Sequence, residues 1–528
     1  MSIPVGEEGL TPSHSPIYAL FALAAARYPD KTALIVGTRR LTYREIATRV
    51  NHLAAGLAAQ GLDAGSHLGV VLPNGIEFVL LMLAAARLGL VLVPQPMGST
   101  GEALAKAFQA TDVRHVALWH GLLPRLVDST ALASIAGTRI CAGGGASPAG
   151  WIAFESLLLP PQPLQTQREP SVAAASHPYL MVLTSGSTGS PKPILLSQET
   201  KVARARAAID LYGLHAGDCI LTATPLYHSL AQRLVLIPLL IGATSVVLEH
   251  FSPTAWCAAI AEYRCSFSIA VSSQLKQLLP DLHANRQTLT SLRCLVSSSA
   301  LLDTPTKSSL LEALSCEFHE CYGASEIATA TNLHAQMDST KFGSVGKPVP
   351  GADLLILDEQ GRTASAGNPG EILCRTPLAF SGYYAQPEKT QAAHLNGYFR
   401  TGDIGKIDAE GYLYYLGRLK DLVITGGINI YPKDIEDLLT GRLGIEECTV
   451  IAVPDSRLGE VVGAVLATGV GRQAPDLRAV QRLCAKCLND AQQPRHYFIV
   501  DQLPRNAMGK VDKPALRRRF ATSEGSAA

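Results

Sequence analysis

From Pro16 to about Val246 the apolar positions follow two alternating rhythms. A segment opening at Leu41-Thr42-Tyr43-Arg44-Glu45 and running to about Gln60 repeats its apolar residues at helical spacing. His67 to Leu72 predicts a strand, Glu77 to Leu88 a helix and Leu90 to Pro94 a strand. A second block repeats the alternation: strand Cys219–Ala223, helix Leu230–Leu240, strand Ser245–Leu248, helix Pro253–Tyr263, strand Ser268–Val271. Strands alternating with helices of about 10–15 residues predict βαβ units and a mainly parallel sheet. The most apolar stretch, Phe78 to Val93, carries Arg87 and stops at Pro94. It predicts a buried helix and strand rather than a membrane span. Gly145 to Pro170, rich in Pro and Gly, predicts a surface connection.

After Lys347 the texture changes to short strands between glycine turns: Asp353–Asp358, Gly370–Arg375, Gly405–Ile407 and Tyr412–Leu416. A last segment of about 110 residues begins near Lys420. Its strands Leu422–Thr425 and Ile428–Tyr431 flank Gly426-Gly427, a pair suited to a tight hairpin turn. Pro432 fits a first helical turn, and Ile435, Leu438, Leu439 and Leu443 mark one helix face. Leu516 to Phe520 reads as the basic outer face of a terminal helix, and Ser523 to Ala528 as a disordered tail.

Composition narrows the class. At about 100–200 residues per domain, 528 residues imply several domains. Hydrophobic residues at 47% and charged residues at 17% describe a globular chain. Lys+Arg at 45 against Asp+Glu at 44 leaves a net charge of +1, which argues against a dedicated nucleic-acid binder. Eleven scattered cysteines suggest free thiols in a reducing cytosol. Cys484 and Cys487 have CxxC spacing but no second pair nearby, so they read as helix-face thiols. The first sixteen residues lack the basic start and apolar run of a signal peptide, and a cytoplasmic protein is expected.

Four short segments carry chemistry. Tyr179–Thr184 reads as a buried strand leading into Ser185-Gly186-Ser187-Thr188-Gly189-Ser190-Pro191-Lys192-Pro193, and Ile194 to Leu196 returns as a strand. Small residues let backbone N–H groups approach a polyanion, hydroxyls donate to phosphate oxygens and one Lys supplies charge. The prolines exclude the helix a Walker loop needs; a flexible Ser/Gly hairpin turn is the competing reading. Tyr322-Gly323-Ala324-Ser325-Glu326 follows a strand, Glu317–Cys321. It offers a ring, a hydroxyl and a carboxylate for a base, a phosphate and Mg²⁺; the competing reading is a strand end whose Ser and Glu open the next helix. Asp403, in Thr401-Gly402-Asp403, suits ribose hydroxyls, and Arg418 offers a planar fork of donors. Lys510 follows a glycine in a C-terminal turn.

Taken in order, Leu183–Lys192, Tyr322–Glu326, Thr401–Asp403, Gly417–Pro432 and Asn506–Lys513 resemble the superfamily of adenylate-forming enzymes: acyl-CoA synthetases, adenylation domains of peptide synthetases, and luciferases. The resemblance covers about residues 16–520. It implies an α/β protein: a large N-terminal domain, 1–419, with mixed and parallel sheets flanked by helices plus a β-rich subdomain, and a small mobile α+β C-terminal domain, 420–528. It also implies two half-reactions, with ATP, a carboxylic acid and coenzyme A as substrates and Mg²⁺ as cofactor. The acid first forms acyl-AMP, releasing pyrophosphate; a thiol then displaces AMP. By that resemblance Thr184, Ser185, Gly186, Ser187, Thr188, Gly189 and Lys192 form the pyrophosphate loop. Tyr322 and Gly323 meet adenine, with Ser298, Ser299 and Ala300 opposite. Ser325 bonds the α-phosphate, Glu326 serves Mg²⁺ through water, and Asp403 and Arg418 hold the ribose. Lys510 bridges the carboxylate and α-phosphate, Lys420 is the hinge, and Gly426 and Gly427 border the pantetheine tunnel. Three positions depart from the usual pattern: Pro193, Gln198 and Asp434.

Amino-acid-activating domains usually place an Asp near Pro225–Leu230. Here the segment reads Pro225-Leu226-Tyr227-His228-Ser229-Leu230, which points to an amino-free acid with Tyr227 and His228 at the acyl pocket. Arg233, in an apolar helix, either meets a second carboxylate on a diacid or snorkels to the surface. Three readings follow: an acyl- or aryl-CoA ligase, an acyl-AMP ligase loading a separate carrier protein, and a non-catalytic acyl-nucleotide-binding protein.

Overall fold

The computed structural model describes residues 16–126, 129–145, 147–160, 175–184, 192–505 and 510–520. Among them the predicted alternation resolves into two large sheets. The nine-stranded one runs, in spatial order, Lys347–Pro348, Ala328–His334, Glu317–Ala324, Cys294–Ser298, Phe267–Val271, Cys219–Thr222, Thr244–Val247, Thr32–Val36 and Arg39–Thr42. Its centre is parallel and its ends are antiparallel. The seven-stranded sheet runs from Ile152–Ala153 to the edge strand Lys192–Ser197, through Arg139–Ala142, His115–Trp119, His67–Val71, Val91–Pro94 and Pro178–Thr184. Only its last pair is antiparallel. That edge accommodates Pro193, which has no N–H to give a further strand.

The apolar stretch is the predicted buried helix, Ile76–Leu88, followed by the strand Val91–Pro94. Gly89 ends the helix in the left-handed conformation, φ 74°, and its N–H donates to the Ala85 carbonyl. No described helix is long and apolar enough to cross a membrane. Helix Ser229–Ile241 is buried along most of its length. Both helices share one core with the inner faces of the two sheets, through residues such as Leu80, Leu83, Leu236, Tyr179 and Phe267.

Several expectations change. The helix expected from Leu41 starts at Tyr43, because Leu41 and Thr42 complete a strand. Thr42 caps the helix: its hydroxyl accepts from the Glu45 N–H while the Glu45 carboxylate accepts from the Thr42 N–H. The connection expected over 145–170 is not all surface. Ile152–Ala153 adds a strand beside Arg139–Ala142, and the 3₁₀ turn Phe154–Leu158 buries Phe154 and Leu157. Residues 161–170 lie outside the described residues. Strand Glu317–Ala324 runs on through Tyr322 and turns into the antiparallel strand Ala328–His334, so no helix starts at Glu326. Leu443 lies beyond helix Pro432–Leu439 and is 45% exposed.

The β-rich region expected after Lys347 is a five-stranded antiparallel sheet built from 353–418. The last segment forms another five-stranded sheet, covered by helices Pro432–Leu439 and Leu477–Cys487. Its apolar cores contain no residue before Val423, and the cores of the preceding chain contain none after Tyr415. Gly426 and Gly427, φ 57° and 84°, make the tight hairpin turn.

Candidate active site

Parallel sheets collect functional loops at the carboxyl ends of their strands, where backbone donors and acceptors emerge unpaired. Four predicted segments arrive there. Thr184 ends strand Pro178–Thr184, Ser298–Ala300 follow Cys294–Ser298, Tyr322 lies near the end of Glu317–Ala324, and Tyr227-His228 follow Cys219–Thr222. Ser185, Gly186, Ser187, Thr188 and Gly189 lie outside the described residues. Lys192, the far end of that loop, pairs with Thr184 across the hairpin.

Tyr322 and Asp403 come together although 81 residues separate them: the Tyr322 hydroxyl donates to Asp403 Oδ2 at 2.8 Å, and both residues are buried. Arg418 stands directly across the antiparallel ladder from Asp403, with Nε 3.4 Å from Oδ1. Burial raises the Asp403 carboxyl above its ordinary range, while Arg418, the Tyr322 hydroxyl and Lys510 pull it back. Each carboxylate oxygen can still accept another hydrogen bond. Gly323 is dictated by packing, since a Cβ there would stand 1.8 Å from the Ala328 carbonyl oxygen.

The Ser298–Ala300 loop follows the strand that pairs with Glu317–Ala324. Ser299 holds φ 77°, an uncommon conformation for a residue with a side chain. The Ala300 carbonyl accepts from the Ser272 hydroxyl, and Glu320 accepts from the Leu302 N–H at 2.8 Å.

Ser325 and Glu326 occupy the turn after Tyr322, and Arg204 holds that turn from below. Its guanidinium donates to the carbonyls of Ser325, Glu326 and Leu378 at 2.9, 3.1 and 2.9 Å. The Glu326 carboxylate accepts from the Tyr383 hydroxyl at 3.1 Å, and the Lys192 ammonium lies 5.4 Å from the centre of the same ring. Sequence reading missed Arg204 and Tyr383. The signal for Arg204 is a cation on the inward side of helix Gln198–Tyr212, beside buried Lys201 and Ala205.

Lys510 arrives from the C-terminal unit. Asp403 and Glu326 both act on it as favourable charges, yet burial, and then Arg418, keep its ammonium below the ordinary lysine value. The His228 imidazole is pushed down from 6.5 to about 4, by burial and then by Lys510, so it is neutral at neutral pH. Tyr227 packs against it, with ring centres 4.1 Å apart. Lys510, Asp403, Glu326, Arg418, Tyr322, Tyr227 and His228 are thus gathered in one region. The Gly426-Gly427 turn is not gathered with them: the Gly426 N–H donates to the Leu458 carbonyl of its own unit. Lys420 is exposed, in the 3₁₀ turn Leu419–Asp421. The departures are benign. Gln198 donates to the Ala86 carbonyl, and Asp434 accepts from Gln492.

The chain matches the AMP-binding enzyme family over residues 21–384 and the AMP-binding enzyme C-terminal domain over 434–510. It belongs to this family. Indoleacetate–CoA ligase of Aromatoleum aromaticum is 33% identical over 509 residues, which cover 93% of this chain and 96% of the relative. Sulfoacetate–CoA ligase of Cupriavidus necator is 30% identical, over 94% of this chain and 96% of the relative. Among solved structures, ATP-bound MatB of Rhodopseudomonas palustris has a TM-score of 0.87 at 27% identity, covering 96% of this chain and 99% of that one.

Proposed function

We propose that this AMP-binding enzyme is an AMP-forming acid–thiol ligase that activates an amino-free carboxylic acid and transfers the acyl group to coenzyme A. The observation that carries the reading is the meeting of Lys510, from the C-terminal unit, with Asp403, Glu326 and Arg418 beside Tyr322 and His228. Burial costs a lysine stability as a cation, and here Asp403 and Glu326 offset part of that cost.

In the first step a carboxylate oxygen attacks the α-phosphorus and the bond to pyrophosphate breaks. Two anions must meet, so cations are needed at the contact point. Lys510 supplies one, bridging the carboxylate and the α-phosphate, and Ser325 donates to the same phosphate. Asp403 and Arg418 bind the ribose hydroxyls, Tyr322 and Ser298–Ala300 enclose adenine, and the 184–192 hairpin with Lys192 receives the departing pyrophosphate. Glu326 suits Mg²⁺: Tyr383 orients one carboxylate oxygen, and among the described residues the other forms no hydrogen bond. One carboxylate beside a triphosphate is the donor set of a magnesium ion that keeps several waters, and Mg²⁺ held there would neutralise phosphate charge.

In the second step a thiol sulfur attacks the acyl carbon and AMP leaves. Units 1–419 and 420–528 rotate about Lys420 between the steps, withdrawing Lys510 and bringing Gly426-Gly427 to the thiol entrance. Tyr227 and neutral His228 border the acyl pocket.

Purified chain, ATP and Mg²⁺ with a panel of acids give acid-dependent pyrophosphate exchange; CoA or a purified carrier protein then identifies the acceptor. Exchange with no acid overturns the ligase reading in favour of a non-catalytic nucleotide binder. Transfer only to the carrier overturns the choice of CoA.

A further inference from the structure

Helix Ser229–Ile241 contains one charged residue, Arg233, in a segment whose neighbours Gln232, Leu234, Val235 and Leu236 are all buried. Arg233 itself is half-buried. Its Nε is buried with no hydrogen-bond partner, and the side chain forms no salt bridge among the described residues. The groups that feel its charge are interior ones: Lys201, Arg204, Tyr212 and Cys321. Cys321 immediately precedes Tyr322, so the guanidinium lies under the floor of the candidate site.

The surroundings add to the imbalance. Lys201 and Arg204 are 3% and 5% exposed. Lys201 donates to the Ser229 carbonyl and hydroxyl, both at 3.3 Å, and Arg204 is spent on three backbone carbonyls. None of the three cations forms a salt bridge with a carboxylate among the described residues. A half-buried charge without a counter-charge is costly, and a guanidinium sheds its proton far less readily than a lysine does. An arginine so placed calls for an anion from outside the chain.

His228, at the start of the same helix, senses Lys510, and Arg233 follows it by five residues, about 7.5 Å along the helix axis. We infer that the acid this enzyme activates carries a second anionic group, a carboxylate or sulfonate a few bonds from the reacting carboxylate, and that Arg233 receives it. The inference rests on the acid-activating reading above. It makes Arg233 a specificity determinant and leaves the chemistry to the groups around Lys510.

Matched acids test it: butyrate, pentanoate and phenylacetate against succinate, glutarate, 3-sulfopropionate and a ring-carboxylated phenylacetate. Pyrophosphate exchange gives kcat/KM for each. The expected result is at least a tenfold preference for the doubly anionic member of one matched pair, erased in Arg233→Met and partly kept in Arg233→Lys. A preference for the singly charged acid in every pair, or an unchanged ratio in a folded Arg233→Met, overturns the inference. Where Arg233→Met does not fold, the wild-type ratios decide alone. Exchange with singly charged acids only sinks this inference and leaves the ligase reading standing; exchange with none removes both.

Discussion

Tyr383 and Glu326 are joined by a hydrogen bond of 3.1 Å, and the Tyr383 ring also lies beneath the Lys192 ammonium. One side chain therefore links the end of the hairpin proposed to hold the pyrophosphate to the carboxylate proposed to serve Mg²⁺. Burial, and then Glu326, raise the Tyr383 phenol well above its ordinary value, so it donates at every working pH. A hydrogen bond to a charged group contributes about 1.5–3 kcal/mol. Tyr383→Phe should therefore lower the adenylation rate about tenfold or more and raise the Mg²⁺ concentration needed for half-maximal exchange. An unchanged Mg²⁺ dependence would show that Glu326 holds its position without this bond.

Asp403→Ala should weaken ATP binding at least about tenfold, on the same hydrogen-bond magnitude. Its carboxylate holds both the Tyr322 hydroxyl and Arg418, so the variant loses the proposed ribose acceptor and the anchor of the ring proposed to meet adenine. Calorimetric titration with ATP measures the affinity, and circular dichroism checks the fold. Wild-type affinity in a folded variant would remove Asp403 from the nucleotide site.

Lys510→Ala should abolish acyl-AMP formation while largely sparing thioester formation from supplied acyl-AMP. The sign of the pH effect follows from its surroundings. Burial, and then Arg418, lower the Lys510 ammonium from its ordinary value. In the proposed role the protonated form bridges two anions, so exchange should fall as pH rises through this lowered value. The alkaline limb should thus lie below 10.5, the ordinary lysine value, and move upward in Lys510→Arg. Single-turnover assays of each half-reaction, with a pH profile of the first, make the measurement. Equal loss in both half-reactions would mark Lys510 as structural.

Much of this was legible because periodicity and turn chemistry are local. Helix Pro253–Tyr263 and strand Gly370–Arg375 fall at their predicted bounds, since Pro at a helix start and Gly at a strand start announce themselves. By pattern Leu41 and Thr42 fit the helix, because an apolar residue before a cap satisfies both rhythms; the pairing with Thr32–Val36 decides. The strand at Ile152–Ala153 was missed because its two residues owe their conformation to the neighbouring strand. Motifs exposed Tyr322, Asp403 and Lys510 as candidates, but their meeting depends on segments far apart in the chain. Tyr383 and Arg204 belong to no chemical motif, and only packing shows what they hold.

The last prediction concerns the junction between the units. Lys420 lies in the 3₁₀ turn Leu419–Asp421, and its carbonyl accepts from Arg517 Nη2 at 3.4 Å, while Arg517 also pairs with Asp421 at 3.2 Å. These contacts accompany the arrangement in which Lys510 stands with Asp403 and Glu326, the arrangement proposed for adenylation. Leaving it requires a dihedral change at the junction. Proline fixes φ near −65°, within the range of a 3₁₀ turn. Lys420→Pro should therefore hold the present arrangement, keep pyrophosphate exchange near wild type and slow thioester release by at least about tenfold. The ring also presses on Leu419, so a melting curve accompanies the two rates. Wild-type values for both rates in a folded variant would place the pivot elsewhere or remove the rotation from the mechanism; equal loss of both would mean that the substitution disturbs the adenylating arrangement itself.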